Sequence, residues 1–239
     1  MPDKSRTFSV SLTDSQAFAR LSGDFNPIHL DPIAARRSIF GSTVAHGIHM
    51  VMGALEALAH QSQGSRLRSM KARFHQPVRH GEEVRYAIAS DHGDSVKVSV
   101  ETARGIAQRI VLTMGSRNPD VDRGPDRPAF EVRPPRALLP ADAPHVAGTY
   151  PFGLNLALLR TLFPAAAAAF PLDSLALVVG TTGIVGMEAP GARSLFLGLN
   201  LSFEERTPEG APIEYSTKRF DERFLNLDLA LRSPGGSGV

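Results

Sequence analysis

Hydrophobic and polar positions divide the chain into two stretches that run through similar elements. Alternation over Thr7–Leu12 predicts a short strand. A helix capped by Thr13 or Asp14 follows, and Gly23 stops it. Residues 24–42 have no sustained period, which predicts an irregular excursion with short helical pieces.

A long apolar segment comes next. Val44 to about His60 is apolar on most faces and predicts a buried helix. Four alternating segments after it predict strands: Arg68–Phe74, Glu83–Ser90, Ser95–Ala103 and Ile106–Gly115. One strand, one long buried helix and a run of antiparallel strands is the order of a hot-dog fold, in which the sheet wraps the helix.

The second stretch repeats this outline after a change in composition. Residues 117–148 are rich in proline and charge and predict a linker. A helix from Asp173 or Ser174 to about Val185 follows. Three strands are then expected: Ser194–Glu204, Pro212–Phe220 and Phe224–Leu231.

We therefore predict the α+β class and a double hot-dog. Residues 1–116 are expected to form its N-terminal unit and residues 149–239 its C-terminal unit. Because the sequence ends soon after the third strand of the second unit, that unit is expected to be one strand short. Either a partner completes its edge or the chain is a fragment of a longer protein.

Composition narrows the class of protein. The 239 residues are 42% hydrophobic, enough for a real core, and contain no cysteine. Disulfide scaffolds, thiolate metal sites and cysteine nucleophiles are thereby excluded. The N-terminus does not resemble a signal peptide, and no apolar run reaches the ~18 residues of a membrane span. We expect a soluble, cytoplasmic protein with no membrane partner.

Charge is divided unevenly around a net value of +2. Residues 1–118 carry 15 Lys and Arg against 10 Asp and Glu, whereas residues 119–239 carry 11 against 14. The basic excess suits the phosphates of a CoA ester or an acyl-carrier arm, and equally a plain solvated surface. Four basic side chains could face such phosphates or equally be ordinary surface charges on strands: Arg66, Arg68, Lys71 and Arg73. The excess is too small and scattered to indicate nucleic acid.

Candidate chemistry lies in the irregular excursion. Asp24 and His29 are five residues apart across a Gly-Asp and Asn-Pro turn, and can converge on one water as base and acid. Gly47 opens the buried helix, where backbone N–H groups can hold an oxyanion. Each side chain also has a plainer explanation, since Asp24 can cap the turn and His29 can be an ordinary buried histidine.

Residues 18–49 as a whole resemble the hydratase-2 motif of the MaoC-like family, the (R)-specific enoyl-CoA hydratases and 3-hydroxyacyl-thioester dehydratases. The pattern Gly-Asp-x-Asn-Pro-x-His-x-Asp stands at Gly23–Asp31, and a Val-Ala-His-Gly block stands at Val44–Gly47. The resemblance implies the same fold and reversible hydration of trans-2-enoyl thioesters to (R)-3-hydroxyacyl thioesters. It implies a hydro-lyase with catalytic residues Asp24, His29 and Gly47, and we expect substrate-binding roles for Asn26, Val44, Ala45 and His46.

No cofactor and no metal are expected. His46 and His49 could join His29 around an ion, but the sequence offers no carboxylate ligand at typical spacing and the reaction needs no zinc. For Asn26, holding its own turn is the simpler role. The expected partner is an acyl-CoA or acyl-carrier-protein thioester, and a homodimer is expected.

Residues 150–172, in the second unit, contain no acid–imidazole pair and are strongly apolar. They can form a packed helix. In tandem relatives of the family this region is a non-catalytic half, and its loss of polar residues leaves room for a long acyl chain, the interpretation we favour. The rival function for the whole chain is a non-catalytic acyl-thioester-binding or assembly module of a larger biosynthetic protein. A hot-dog thioesterase is a weaker rival, because those enzymes lack the Gly-Asp-x-Asn-Pro-x-His pattern.

Overall fold

Ten strands pair into one sheet in the computed structural model, which describes residues 6–59, 62, 65–90, 94–116, 126–192, 194–204, 211–233 and 236–239. The strands are β1 (Arg6–Ser9), β2 (Ser65–Phe74), β3 (Glu83–Ser90), β4 (Ser95–Thr102), β5 (Gly105–Ser116), β6 (Ala147–Tyr150), β7 (Gly198–Phe203), β8 (Ile213–Asp221), β9 (Asn226–Ser233) and β10 (Gly236–Gly238). All nine pairings between them are antiparallel.

The sheet consists of two halves with the same internal order. Its strands run β1-β3-β4-β5-β2-β7-β10-β9-β8-β6. From the edge of the sheet to its centre, the first half therefore runs β1, β3, β4, β5, β2. The second half runs β6, β8, β9, β10, β7 in the same way, so β1 corresponds to β6, β2 to β7, and so on. The halves join where β2 pairs with β7, with Met70 opposite Leu201. This arrangement confirms the predicted α+β double hot-dog. The residue limits of its two units and the linker between them stay predictions.

Seven α-helices lie in the described residues. They are α1 (Leu12–Ser22), α2 (Pro27–Leu30), α3 (Pro32–Arg36), α4 (Gly47–Leu58), α5 (Leu156–Leu162), α6 (Pro164–Ala169) and α7 (Leu172–Gly183), which continues as a π-helix (Ile184–Glu188). A 3-10 turn covers Ala143–His145. The central helices α4 and α7 are buried over nearly their whole length and pack against each other. No helix in this described part is long and apolar enough to cross a membrane.

The start of α1 differs from the prediction by a few residues. Ser11 caps the helix: its hydroxyl accepts from the Asp14 N–H, and the Asp14 carboxylate accepts from the Ser11 N–H. The predicted caps, Thr13 and Asp14, therefore lie inside the helix. Strand β1 consequently ends at Ser9 instead of Leu12. Gly23 ends α1 as predicted, in the left-handed conformation that glycine adopts without strain.

The start of α4 is also later than predicted. Val44 forms a bridge with Arg79, and the Ala45 N–H donates to the Val78 carbonyl, so the chain is extended there and the helix begins at Gly47. The predicted end near His60 lies outside the described residues.

The expectation that the second unit lacks a strand is wrong. The glycine-rich segment Gly236–Gly238 forms β10 and pairs with both β7 and β9. It stands where β5 stands in the first unit, at three residues instead of twelve. Within the predicted linker, the Phe130 N–H donates to the Arg20 carbonyl of the first unit, and the Arg136 N–H donates to the Met187 carbonyl of the second unit.

Candidate active site

The loop after α1 is fixed to the second half of the chain. The Asn26 side-chain oxygen accepts from the Ile28 N–H and caps α2, while its Nδ2 donates to the Gly186 and Gly191 carbonyls, both at 3.3 Å. The Phe25 N–H contacts the sulfur of Met187. Asn26 therefore has its polar atoms engaged in holding the loop, although it also lines the adjacent cavity.

Asp24 and His29 meet at the cavity that this loop borders. The Asp24 Oδ2 and His29 Nε2 atoms are 4.0 Å apart, and the Asp24 side chain is only 2% exposed. That separation is too long for a direct hydrogen bond, yet one water at about 2.8 Å from each atom would bridge them. The arrangement can therefore hold a water between an acid and a base.

Both oxygens of the Asp24 carboxylate accept hydrogen bonds. The Thr182 hydroxyl donates to Oδ2 at 2.6 Å and the Asn26 N–H donates to Oδ1 at 3.1 Å. Burial raises the pKa of Asp24, and the positive charge available on His29 together with these two hydrogen bonds opposes that rise. The hydrogen bonds also fix the direction in which the carboxylate points.

The His29 ring is held from its other side. Its Nδ1 lies 2.8 Å from the Val44 carbonyl, and because a carbonyl only accepts, Nδ1 carries the hydrogen. Nε2 is thereby left facing Asp24. Burial lowers the pKa of His29, and the Asp24 carboxylate raises it in part.

His46 packs against the His29 ring. Its ring stacks on the His29 ring with centroids 3.9 Å apart, and its Nε2 donates to the Asp24 carbonyl at 3.0 Å. Burial holds its pKa well below the usual value, so the ring is neutral. His46 is fully buried and does not line the cavity, which gives no support to the predicted contact with substrate.

Asp24, His29 and His46 have donor atoms within 4.8 Å of one another, close enough to surround a metal ion. A carboxylate, that of Asp24, therefore does lie beside the histidines, which the sequence spacing did not indicate. On each ring, one nitrogen is already engaged: His29 Nδ1 donates to the Val44 carbonyl and His46 Nε2 donates to the Asp24 carbonyl. The absence of a metal therefore stays a prediction.

The cavity has a volume of about 180 Å³ and lies between the two halves. Val44, Ala45 and Gly47 line it from the first half. The last turn of α7, the π-helix and residues 194–197 line it from the second half. Most of its wall is apolar; the larger side chains are Ile28, Phe40, Met50, Phe74, Leu195, Phe196 and Leu197.

Gly47 is the first residue of α4, where backbone N–H groups have no partner within the helix. A Cβ atom at this position would lie 3.6 Å from the Phe74 ring and 3.7 Å from the Gln108 amide, which is ordinary contact. The packing of the protein itself therefore does not require glycine here. The space beside Gly47 belongs to the cavity and is available to a ligand.

Two features of the second half were not foreseen. Thr182 and Gly186 contact the Asp24 carboxylate, and only the small residues at Gly180, Gly183 and Gly186 hinted at close packing there.

The acyl-chain room expected at residues 150–172 stays a prediction. None of the described residues of this segment lines the cavity beside Asp24, but Thr161, Leu162 and Phe163 line a second cavity of about 380 Å³ together with His49 and Glu56. The Glu56 carboxylate accepts from the first N–H groups of α6.

Comparisons with known proteins find similar sequences. Residues 1–109 match the family model of the MaoC like domain. A 3-hydroxybutyryl-CoA dehydratase of Methylorubrum extorquens is 33% identical over 102 residues, 42% of this chain and 57% of that protein. A mitochondrial 3-hydroxyacyl-[acyl-carrier-protein] dehydratase of Arabidopsis thaliana is 31% identical over 81 residues, 34% of this chain and 48% of that protein. The chain thus spans about half the length of these curated relatives.

The fold is shared along the whole chain. A solved structure described as a MaoC-like dehydratase superposes with a TM-score of 0.66 over 100% of this chain and 95% of that one, at 16% identity.

Proposed function

We propose that this chain, whose residues 1–109 match the model of the MaoC like domain, catalyses the reversible hydration of a trans-2-enoyl thioester to an (R)-3-hydroxyacyl thioester. One observation carries the proposal. A buried aspartate and a partly buried histidine face each other across 4.0 Å beside the first N–H groups of a long helix. A water activator and an oxyanion site are the two parts that such a hydration needs.

In this mechanism the Asp24–His29 pair holds one transferable proton, carried on His29 Nε2, since the Nδ1 hydrogen is donated to the Val44 carbonyl. The Asp24 carboxylate removes a proton from water, and the hydroxide forms a bond to C3 of the substrate. The electrons of the double bond move to the thioester oxygen as an enolate, which the N–H of Gly47 stabilises. The enolate then takes the His29 proton at C2, and the proton that Asp24 took from water passes to His29 Nε2, which restores the pair. One water is consumed and no group leaves.

The carrier of the acyl group is either CoA or acyl-carrier protein. The two curated relatives are named for one carrier each, so both thioesters belong in the assay. The site draws on both halves of one chain, so the homodimer we predict is not needed to complete it. Light scattering would measure that oligomeric state directly.

The test is turnover of crotonyl-CoA and of crotonyl acyl-carrier protein. Wild-type protein should remove the ultraviolet absorbance of the conjugated enoyl thioester, and chiral analysis should find the (R)-3-hydroxy product. Release of free thiol would instead indicate a thioesterase. Saturable binding of both thioesters without any change in absorbance would favour the acyl-binding module and refute the hydratase.

A further inference from the structure

Thr182 joins the second half of the chain to the proposed reaction. It lies near the end of α7 and is 4% exposed. Its hydroxyl donates at 2.6 Å to Asp24 Oδ2, the same oxygen that faces His29 Nε2. Oδ2 therefore has a donor from the second half on one side and the proposed water position on the other.

The neighbouring threonine shows what such a hydroxyl ordinarily does. Thr181 is also buried, and its hydroxyl donates to the Val178 carbonyl of its own helix at 2.7 Å. Threonines within helices commonly bond back in this way. Thr182 differs, because its hydroxyl donates to a carboxylate 158 positions away in the sequence.

The chain after Thr182 closes around the same carboxylate. Helix α7 widens there into a π-helix, a local change often found at functional sites. A Cβ atom on Gly186 would lie within 2.6 Å of Asp24 Cγ and Oδ2, so only glycine leaves the carboxylate its place. The backbone of Gly186 and the hydroxyl of Thr182 thus leave Asp24 one orientation.

We propose that Thr182 is a positioning residue that orients the Asp24 carboxylate for proton transfer from water. This inference rests on the proposed function. A hydrogen bond to the ionised form also favours that form, so Thr182 partly offsets the burial that raises the pKa of Asp24. The half of the chain without an acid–imidazole pair then controls the direction and the ionisation of the base.

The first experiment compares Thr182→Val, which keeps the shape and removes the donor, with Thr182→Ser, which keeps the donor. Thr181→Val is the matched control, because it removes a buried hydroxyl one residue away that bonds only its own helix. Thr182→Val should lower kcat by about tenfold or more while KM changes little, since a buried charged group loses a donor. Thr182→Ser and Thr181→Val should keep most of the wild-type kcat.

A second measurement needs no turnover. Carbon-13 NMR of the carboxyl groups, with the Asp24 signal assigned from Asp24→Asn, gives the protonation midpoint of that carboxyl. Thr182→Val should raise the midpoint, and Thr181→Val should leave it where it is. The acidic limb of the pH–kcat profile should move to higher pH in the same variant. If Thr182→Val does not fold, Thr182→Ala replaces it.

The results separate the two proposals. An unchanged Asp24 midpoint in Thr182→Val overturns the inference, even if the rate falls, because the hydroxyl would then act elsewhere. A raised midpoint with an unchanged kcat also overturns it. If the wild-type protein hydrates no enoyl thioester, the proposed function fails, while the NMR midpoint still decides whether Thr182 governs Asp24.

Discussion

Replacing Asp24 by asparagine should abolish turnover without weakening the fold. The asparagine oxygen can accept from the Asn26 N–H, and its amide can donate to the Thr182 hydroxyl, which rotates to accept, so both buried hydrogen bonds persist. The amide cannot take a proton from water. Loss of a general base costs about 10²–10⁴-fold in rate, which is about 3–5 kcal/mol of activation free energy.

The stability of this variant has a predictable sign. Because burial raises the pKa of Asp24, folding favours its neutral form. The stabilisation from this group is complete below its unfolded value of 3.8 and is lost as pH rises through the folded value. At neutral pH the asparagine variant should therefore unfold at the same temperature as the wild type or at a higher one.

Initial rates of crotonyl-CoA hydration and thermal unfolding followed by circular dichroism test both parts. Asp31→Asn is the matched control, because Asp31 is exposed and caps α3, and asparagine caps a helix equally well. The control should keep both its rate and its unfolding temperature. Retention of most of the wild-type rate by Asp24→Asn refutes the mechanism, and a clearly lowered unfolding temperature refutes the account of its burial.

Three further substitutions test the rest of the site. His29→Ala should lower kcat by about 10²–10⁴-fold, and combining it with Asp24→Asn should cost little more, since groups on one water act as a unit; multiplicative losses would exclude a shared water. Gly47→Val should lower kcat more than it raises KM in kinetic assays, since the oxyanion develops in the transition state; a pure rise in KM would remove Gly47 from the oxyanion site. Ala167→Phe should lower the unfolding temperature, because it overpacks a half-buried position. It should leave the chain-length preference in kcat/KM unchanged, because Ala167 does not line the cavity beside Asp24; loss of activity with long acyl substrates alone would instead support an acyl-binding role for residues 150–172.

The features that sequence predicts well are local ones. Asp24 and His29 are five residues apart, and His29 lies in the four-residue helix that follows the turn, so their convergence follows from a short stretch of chain. Strand Glu83–Ser90 matches its predicted limits, because the sequence of a strand alternates between apolar residues at buried positions and polar residues at exposed ones. The β10 segment carries no such signal. Glycine is a poor strand former, and this segment pairs because β7 and β9 lie on either side of it.

Features that depend on packing between distant segments were missed for a physical reason. The bond from Thr182 to Asp24 depends on how α7 packs beside the loop after α1, and a threonine in an apolar helix looks the same whether or not it reaches a carboxylate. Residues 150–172 present the same difficulty. Leu159, Phe163 and Phe170 are buried against other side chains, and apolar composition alone does not distinguish a packed helix from a cavity wall.

Burial between the two halves also explains why an aspartate and a histidine can exchange protons at this site. Their ordinary pKa values, 3.8 and 6.5, lie far apart. Burial raises the first and lowers the second, so the two values approach each other. Proton transfer is most effective between groups whose pKa values are matched to each other and to the working pH. Thr182, Gly186 and Met187 of the second half cover this loop. That half lacks an acid–imidazole pair of its own, yet it supplies much of the burial that brings the two pKa values closer.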